Sequence, residues 1–179
     1  MADLLIFIFG LIIGSFLNVL IFRLPKKESI LGFSKCRHCK KRIAWRDNIP
    51  VFSFLFLKGR CRECKSKISF QYPLVELLTA FLFLLSFLAY QNNPVFLIYI
   101  LFLVSLLIVV AVLDFKHFII LDNLILVGFI VSFIFIFLVP GFLFPASRFY
   151  GLLFFAGILL ALFLFSRGRW IGFGDIKLA

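Results

Sequence analysis

Long apolar runs separated by short polar segments dominate the sequence, and each run has the length of a membrane-spanning helix. One of them has 19 residues without a charge before Asp114. At about 1.5 Å rise per residue, such a run crosses a hydrocarbon core about 30 Å thick. The runs do not alternate polar and apolar positions, which argues against a transmembrane barrel. The pattern predicts an all-α polytopic membrane protein with about five spans, at roughly 4–22, 74–90, 95–113, 124–139 and 149–165.

Composition supports this class. The chain is 64% hydrophobic, has a mean hydropathy of +1.16 and contains 28 Phe. A soluble domain of 179 residues has too little polar surface to cover so much apolar area. The N-terminal run has no base before Arg23, so the charge follows the helix, and we expect a retained anchor rather than a cleaved leader.

Positive charge is concentrated in one segment. The net charge is +11, and 14 of the 19 Lys and Arg lie between Arg23 and Lys67. By the positive-inside rule this segment is a cytosolic loop, and its bases attract anionic lipid headgroups. Nothing in it resembles a module that reads a nucleic-acid groove, so no nucleic-acid partner is expected. The predicted division is a first helix at 1–22, the loop at 23–73 and a membrane domain at 74–179.

The loop holds all four cysteines as two CxxC pairs separated by 21 residues, namely Cys36, Cys39, Cys61 and Cys64. This spacing is typical of zinc ribbons, and one zinc ion held by four thiolates would cross-link a loop that is too small to form a hydrophobic core of its own. Disulfides or a redox CxxC are the alternatives, but a reducing cytosol argues against stable disulfides. His38 is expected to be a bystander, since four sulfurs already complete a tetrahedral site.

Several polar residues lie within or beside the spans. Gly14, Ser15 and Asn18 lie on about one face of the first span and predict close helix packing with an interhelical hydrogen bond. Glu76 lies inside the start of the second span, where it is either a functional carboxylate or an interfacial partner of the basic loop. Asp122 precedes the fourth span and is expected to cap it or to complement its dipole.

Two aspartates are the candidate catalytic residues. Asp114 ends a membrane-length helix, and Asp175 follows Gly172 and Gly174 in a GxGD turn. An even number of spans separates them, so both fall on the cytosolic side. Two carboxylates held close together can share one proton, so that one accepts a proton from water while the other polarises a peptide carbonyl. The two glycines allow a close backbone approach beside Asp175.

A set of motifs in residues 14–76 resembles the type IV prepilin peptidases, also called prepilin leader peptidases/N-methyltransferases. The motifs occur in that family's order, and the resemblance covers nearly the whole chain. They are Gly14-Ser-Phe-Leu-Asn18-Val, Arg23-Leu-Pro25, the two CxxC pairs, Trp45-Arg-Asp-Asn48-Ile-Pro50, Gly59-Arg-Cys61 and Ile68-Ser-Phe-Gln-Tyr72-Pro73-Leu-Val-Glu76.

The resemblance implies a bifunctional enzyme of the bacterial inner membrane. Such enzymes cleave the leaders of type IV prepilins and of pilin-like proteins, then methylate the new N-terminus with S-adenosylmethionine. The family's catalytic aspartates fall on Asp114 and Asp175, and methyl transfer is linked to the cysteine loop. The family continues past its GxGD segment into further helices, whereas this chain ends four residues after Asp175, so a truncated chain is expected.

Two other functions fit parts of the pattern. A zinc-stapled membrane adaptor that only binds pilins, without chemistry, would account for the early end of the chain. An intramembrane protease of the presenilin type shares the GxGD turn. That group has no need of two cytosolic CxxC pairs, which favours the prepilin peptidase interpretation.

Overall fold

The fold is known from a computed structural model that describes residues 1–117 and 121–138. Five α-helices lie in these residues: α1 Ala2–Arg23, α2 Phe52–Phe56, α3 Gln71–Tyr90, α4 Pro94–His117 and α5 Asp122–Leu138. Short 3-10 helices occur at Leu24–Lys26 and Trp45–Asn48. The described residues contain no β-strand, only two isolated bridges. The predicted all-α fold is confirmed.

Three of these helices, α1, α3 and α4, are long and apolar enough to cross a membrane. Their outward faces carry exposed apolar side chains, as expected where lipid is the solvent. The predicted first three spans are therefore confirmed, with ends shifted by at most four residues. Helix α5 has 17 residues and corresponds to the predicted fourth span. The predicted fifth span lies outside the described residues, so the count of five stays a prediction.

Residues 1–116 form one compact unit, and its centre is the antiparallel pair of α1 and α3. Gly10 faces Ala80 and Gly14 faces Glu76, because a Cβ built on either glycine would lie 2.5 or 2.7 Å from the facing Cα atom. Such separations leave room only for hydrogen, so the two backbones touch. The four-residue step between the glycines puts both on one face of α1.

Asn18 completes this contact one turn further along α1. Its side-chain amide is 1% exposed and donates a hydrogen bond of 3.1 Å to the backbone oxygen of Tyr72. The predicted interhelical hydrogen bond of the first span is thereby confirmed. Because apolar lipid cannot drive helix association, close packing and such polar contacts hold the pair together.

A three-residue turn joins α3 to α4. The side-chain oxygen of Asn93 accepts a hydrogen bond of 3.2 Å from the backbone N–H of Phe96, and Pro94 is the first residue of α4. Asn before a helix and Pro at its first position are a favoured combination. The turn reverses the chain, so the C-terminal end of α4 returns to the side on which α3 began.

Helix α5 is described by itself. It begins at Asp122, after Leu121, whose backbone oxygen accepts from the N–H of Leu124 at 2.9 Å. Asp122 is therefore a first-turn residue, where its negative charge complements the helix dipole. This agrees with one of the two roles that the sequence left open for it.

Candidate functional site

The four cysteines of the loop converge. Their sulfur atoms all lie within 4.8 Å of one another, and Cys36 and Cys64 are 3.8 Å apart. Four sulfurs at about 2.3 Å from a tetrahedral zinc ion would be about 3.8 Å from each other. A disulfide needs about 2.05 Å, and all four cysteines are free thiols. The donor set therefore fits one structural zinc ion, and the predicted convergence of the four cysteines is confirmed.

The two CxxC turns have the same backbone pattern. In the first, the N–H of Lys40 donates to the oxygen of Cys36 at 3.0 Å, and the N–H of Cys36 donates to the oxygen of Lys41 at 2.9 Å. In the second, Lys65, Cys61 and Ser66 make the equivalent bonds at 3.1 and 2.9 Å. Lys40 and Lys65 both have a positive φ, of 61° and 58°. Each turn aims two sulfurs at one point.

The surroundings of the sulfurs make their acidities unequal. A backbone hydrogen bond from Cys39 is the largest cause that lowers the pKa of Cys36 to about 6. The hydroxyl of Ser66, 3.1 Å away, lowers the pKa of Cys64. The backbone N–H of Lys41 lowers the pKa of Cys39, but desolvation and the adjacent sulfurs raise it to about 11 overall. Metals bind thiolates, so the lowered pKa values of Cys36 and Cys64 favour metal binding by the cluster.

The loop has no core of its own, since no residue between 24 and 70 is buried. Two ion pairs hold its parts together instead. Arg62 donates to both carboxylate oxygens of Asp47, at 2.8 and 2.6 Å, and this holds the pKa of Asp47 below its usual value. Lys41 and Glu63 join the two CxxC turns at 2.7 Å. A loop without buried residues, held together by ion pairs at its surface, is the kind of segment that a structural metal ion stabilises. His38 is exposed and lies outside the cysteine cluster.

Arg23, the last residue of α1, organises the beginning of the loop. Its guanidinium donates hydrogen bonds of 2.9 to 3.3 Å to the backbone oxygens of Ser29, Ile30, Leu31 and Phe33. A planar fork of N–H groups suits several carbonyls at once. The sequence predicted only a charge-bearing residue here, because backbone acceptors leave no trace in the side-chain pattern.

The first CxxC turn docks on the ends of the membrane helices. The guanidinium carbon of Arg37, between Cys36 and Cys39, lies 3.3 Å from the ring centroid of Phe22 on α1. Phe22 packs against Tyr72 of α3, with centroids 5.0 Å apart. The ammonium of Lys116 on α4 lies 4.8 Å from the same Phe22 ring. Cations over aromatic faces attract, so this contact brings the cysteine cluster next to the end of α4.

Asp114 lies on that end of α4, two residues before Lys116, and is partly exposed. The candidate catalytic carboxylate therefore lies at the end of the helix that meets the cysteine loop. Gly172, Gly174 and Asp175 lie outside the described residues, and the proximity of the two aspartates stays a prediction.

Glu76 contacts the loop in a way the sequence did not predict. Its carboxylate oxygen accepts a hydrogen bond of 2.7 Å from the backbone N–H of Val51, and its side chain is buried. Val51 has φ 60° and ψ −50°, which is unfavourable for a β-branched residue. Contact with the loop is one of the two roles that the sequence left open for Glu76; the atom that it contacts there, a strained backbone N–H, was not predicted. Glu76 thus fixes residues 49–52 against α3.

A cavity of about 1000 Å³ lies between the loop and helices α1 and α3. Its lining includes Asn18 and Glu76 from the helices and Arg37 and Asn48 from the loop. The side-chain oxygen of Asn18 is buried there and has no hydrogen-bond partner among the residues that the structure describes. The cavity has the volume of a small-molecule site, and its lining combines apolar residues with many charged side chains, most of them basic.

Sequence reasoning missed Gly10, and it identified Arg23 only as part of a family motif, without its structural role. Gly10 could have been found, since Gly10 and Gly14 form the GxxxG spacing of close helix pairs. The role of Arg23 depends on four carbonyls six to ten residues further on, for which no sequence signal exists.

Two family models match adjoining parts of the chain. The bacterial peptidase A24 N-terminal domain matches residues 8–90, and the type IV leader peptidase family matches residues 101–179. No solved structure matches the chain.

Individual relatives agree with this. A prepilin leader peptidase/N-methyltransferase of Vibrio cholerae is 35% identical over 185 residues, which cover 96% of this chain and 72% of the relative. One of Klebsiella pneumoniae is 50% identical over 117 residues, which cover 61% of this chain and 50% of the relative. A type 4 prepilin-like proteins leader peptide-processing enzyme of Escherichia coli is 44% identical over 127 residues, covering 60% and 47%. The chain spans about half the length of the last two.

Proposed function

The chain belongs to the type IV leader peptidase family, and from that premise we propose that the whole protein is a membrane aspartic endopeptidase. It cleaves the leaders of type IV prepilins and pilin-like proteins at the membrane face that carries the cysteine loop. The concentration of bases in that loop supports a cytosolic position for this face, and membership of the family supports the bacterial inner membrane as its location.

Asp114 and Asp175 form the catalytic pair of this proposal. Both lie within residues 101–179, which the family model matches. The observation that supports Asp114 is the contact between Lys116 and Phe22, because it puts the end of α4 that bears Asp114 on the same side as the basic cysteine loop. One carboxylate takes a proton from the attacking water, and the protonated partner donates to the scissile carbonyl oxygen. Gly172 and Gly174 let the backbone before Asp175 approach that carbonyl.

The same proposal gives the loop two further roles. Zinc bound by the four thiolates is structural, since all its positions are filled by sulfur and none is open to substrate. N-methylation of the new N-terminus by S-adenosylmethionine is supported by the names of the relatives. The cavity between the loop and α3 has the volume of a site for such a nucleoside-sized donor.

Leader cleavage by the whole protein in membranes tests the catalytic pair. We expect Asp114→Asn and Asp175→Asn each to slow cleavage of a purified prepilin by about 100-fold or more, since each removes a proton-transfer group. Asp122→Asn is the matched control, because this aspartate serves the dipole of α5, and it should cleave within a few-fold of wild type. Wild-type rates for either of the first two variants would refute the assignment. Binding of prepilin without cleavage by the unaltered protein would favour the adaptor function.

A further inference from the structure

Helix α2 carries an apolar face that no part of the compact unit of residues 1–116 covers. Phe52, Leu55 and Phe56 follow the i, i+3, i+4 spacing of one helix face and are 54%, 65% and 84% exposed. On the other side, the ring of Phe54 packs edge-on against Phe70, with centroids 6.0 Å apart. A helix of five residues with three large exposed apolar side chains is unsuited to water.

Two contacts fix the level of α2 relative to the membrane helices. Phe70, which contacts Phe54, directly precedes α3. The N–H of Val51, directly before α2, bonds to Glu76, which lies about 7.5 Å along α3 from Gln71. Helix α3 has 20 residues, about the length of the hydrocarbon core, so its first turns lie where a span enters the bilayer. Helix α2 is therefore level with the boundary between headgroups and acyl chains.

Charge around α2 complements a lipid surface. Lys58 and Arg60 follow α2 within four residues, Lys65 lies nine residues beyond its end, and all three are exposed. The whole segment from Arg23 to Lys67 has 14 bases and three acids, and two of those acids are paired with Lys41 and Arg62. Basic residues beside an apolar helix face are the arrangement by which interfacial helices bind anionic membranes.

We propose that α2 is an interfacial anchor. Its Phe52, Leu55 and Phe56 side chains insert into the headgroup–acyl boundary of the leaflet that carries the cysteine loop, while Lys58 and Arg60 bind anionic headgroups. The anchor and the hydrogen bond between Val51 and Glu76 together hold the cysteine cluster against the membrane surface. The proposal depends on the membrane-spanning helices and not on the peptidase activity.

Tryptophan quenching in lipid nanodiscs tests this on the full chain. Trp45 and Trp170 are first replaced by Phe, and Leu55→Trp or Phe56→Trp is then introduced, so that each variant has a single tryptophan whose fluorescence is measured. Lipids brominated near the top of the acyl chain should reduce its emission to about half or less, and acrylamide in the water should quench it weakly. Phe54→Trp is the matched control on the opposite face and should respond less to the brominated lipid.

Two outcomes would overturn the insertion of α2, and two others would overturn the role of its basic residues. Strong quenching by acrylamide alone would mean that the face lies in water. Protection from both quenchers would mean that protein covers it, such as a second copy or a substrate helix. Equal quenching by brominated lipid in discs with and without phosphatidylglycerol would overturn the role of Lys58 and Arg60, as would an unchanged lipid preference in the Lys58→Gln/Arg60→Gln variant.

Discussion

Replacing Glu76 by Ala removes the acceptor that holds the loop to α3. The N–H of Val51 then loses the hydrogen bond of 2.7 Å that it donates to this buried carboxylate. Val51 is held at φ 60°, a conformation that costs a β-branched residue about 1–3 kcal/mol. Without its acceptor, this residue loses its hydrogen bond to α3 and keeps only contacts within the loop, such as the bond of 3.1 Å from the N–H of Leu55 to its oxygen. We therefore expect residues 49–57 to open more often while α3 itself stays intact.

The size of the effect follows from that single bond. A hydrogen bond to a carboxyl group contributes about 1–3 kcal/mol net. At 1.4 kcal/mol for each tenfold change, opening of residues 49–57 should rise by about 5- to 150-fold. Glu76→Gln keeps an oxygen acceptor on a side chain of equal length, so its effect should be less than about fivefold.

Amide hydrogen exchange read by mass spectrometry on peptides covering 49–57 measures this opening directly. Ser86→Ala is the matched control, because it removes a buried hydroxyl from the same helix. Among the described residues that hydroxyl bonds to the backbone oxygen of Leu82, at 2.8 Å, and not to the loop. The exchange of this variant in 49–57 should match wild type. Wild-type exchange in Glu76→Ala, or equal acceleration in Ser86→Ala, would refute the reasoning.

Three further predictions concern packing and the loop. Gly14→Ala places a Cβ 2.7 Å from the Cα of Glu76 and should lower the stability in thermal unfolding by about 1–3 kcal/mol. Ile12→Ala, at an exposed position of the same helix, is the control, and equal melting temperatures of the two variants would count against the helix contact. Elemental analysis of anaerobically purified protein should give one zinc per chain and almost none in Cys39→Ser, whereas metal-free wild type would exclude the zinc site. Arg62→Lys loses the two-pronged bond to Asp47 and should loosen the loop in hydrogen exchange. Because the pKa of Asp47 is lowered in the folded loop, the ion pair stabilises the loop at neutral pH, and this stabilisation is lost only below about pH 3.8. Faster hydrogen exchange of the wild-type loop already at pH 6 would contradict this.

The sequence was most informative where spacing alone determines structure. Apolar run length predicted α1, α3 and α4 within four residues of their ends, because a span must match the bilayer. The spacing of the CxxC pairs predicted the convergence of their sulfurs, since a metal imposes one geometry on its ligands. Asn18 predicted an interhelical bond, because a buried amide in lipid needs a partner.

Contacts to backbone atoms were beyond prediction. Glu76 was identified as important, but its partner is the N–H of Val51, and every residue except proline has an N–H. Arg23 likewise bonds to carbonyls, so its role depends on the path of the chain and not on the identity of Ser29 or Phe33. The level of α2 relative to α3 follows in part from the contact between Val51 and Glu76, so it could not be predicted either.

The measurement that tests the central claim most directly is the cleavage rate of the Asp114→Asn/Asp175→Asn double variant against the two single variants. Groups that act as one unit give losses that do not multiply. If the two carboxylates share one water, each single variant and the double variant should lose activity by the same factor. Losses that multiply, or a single variant that cleaves at the wild-type rate, would contradict the catalytic pair.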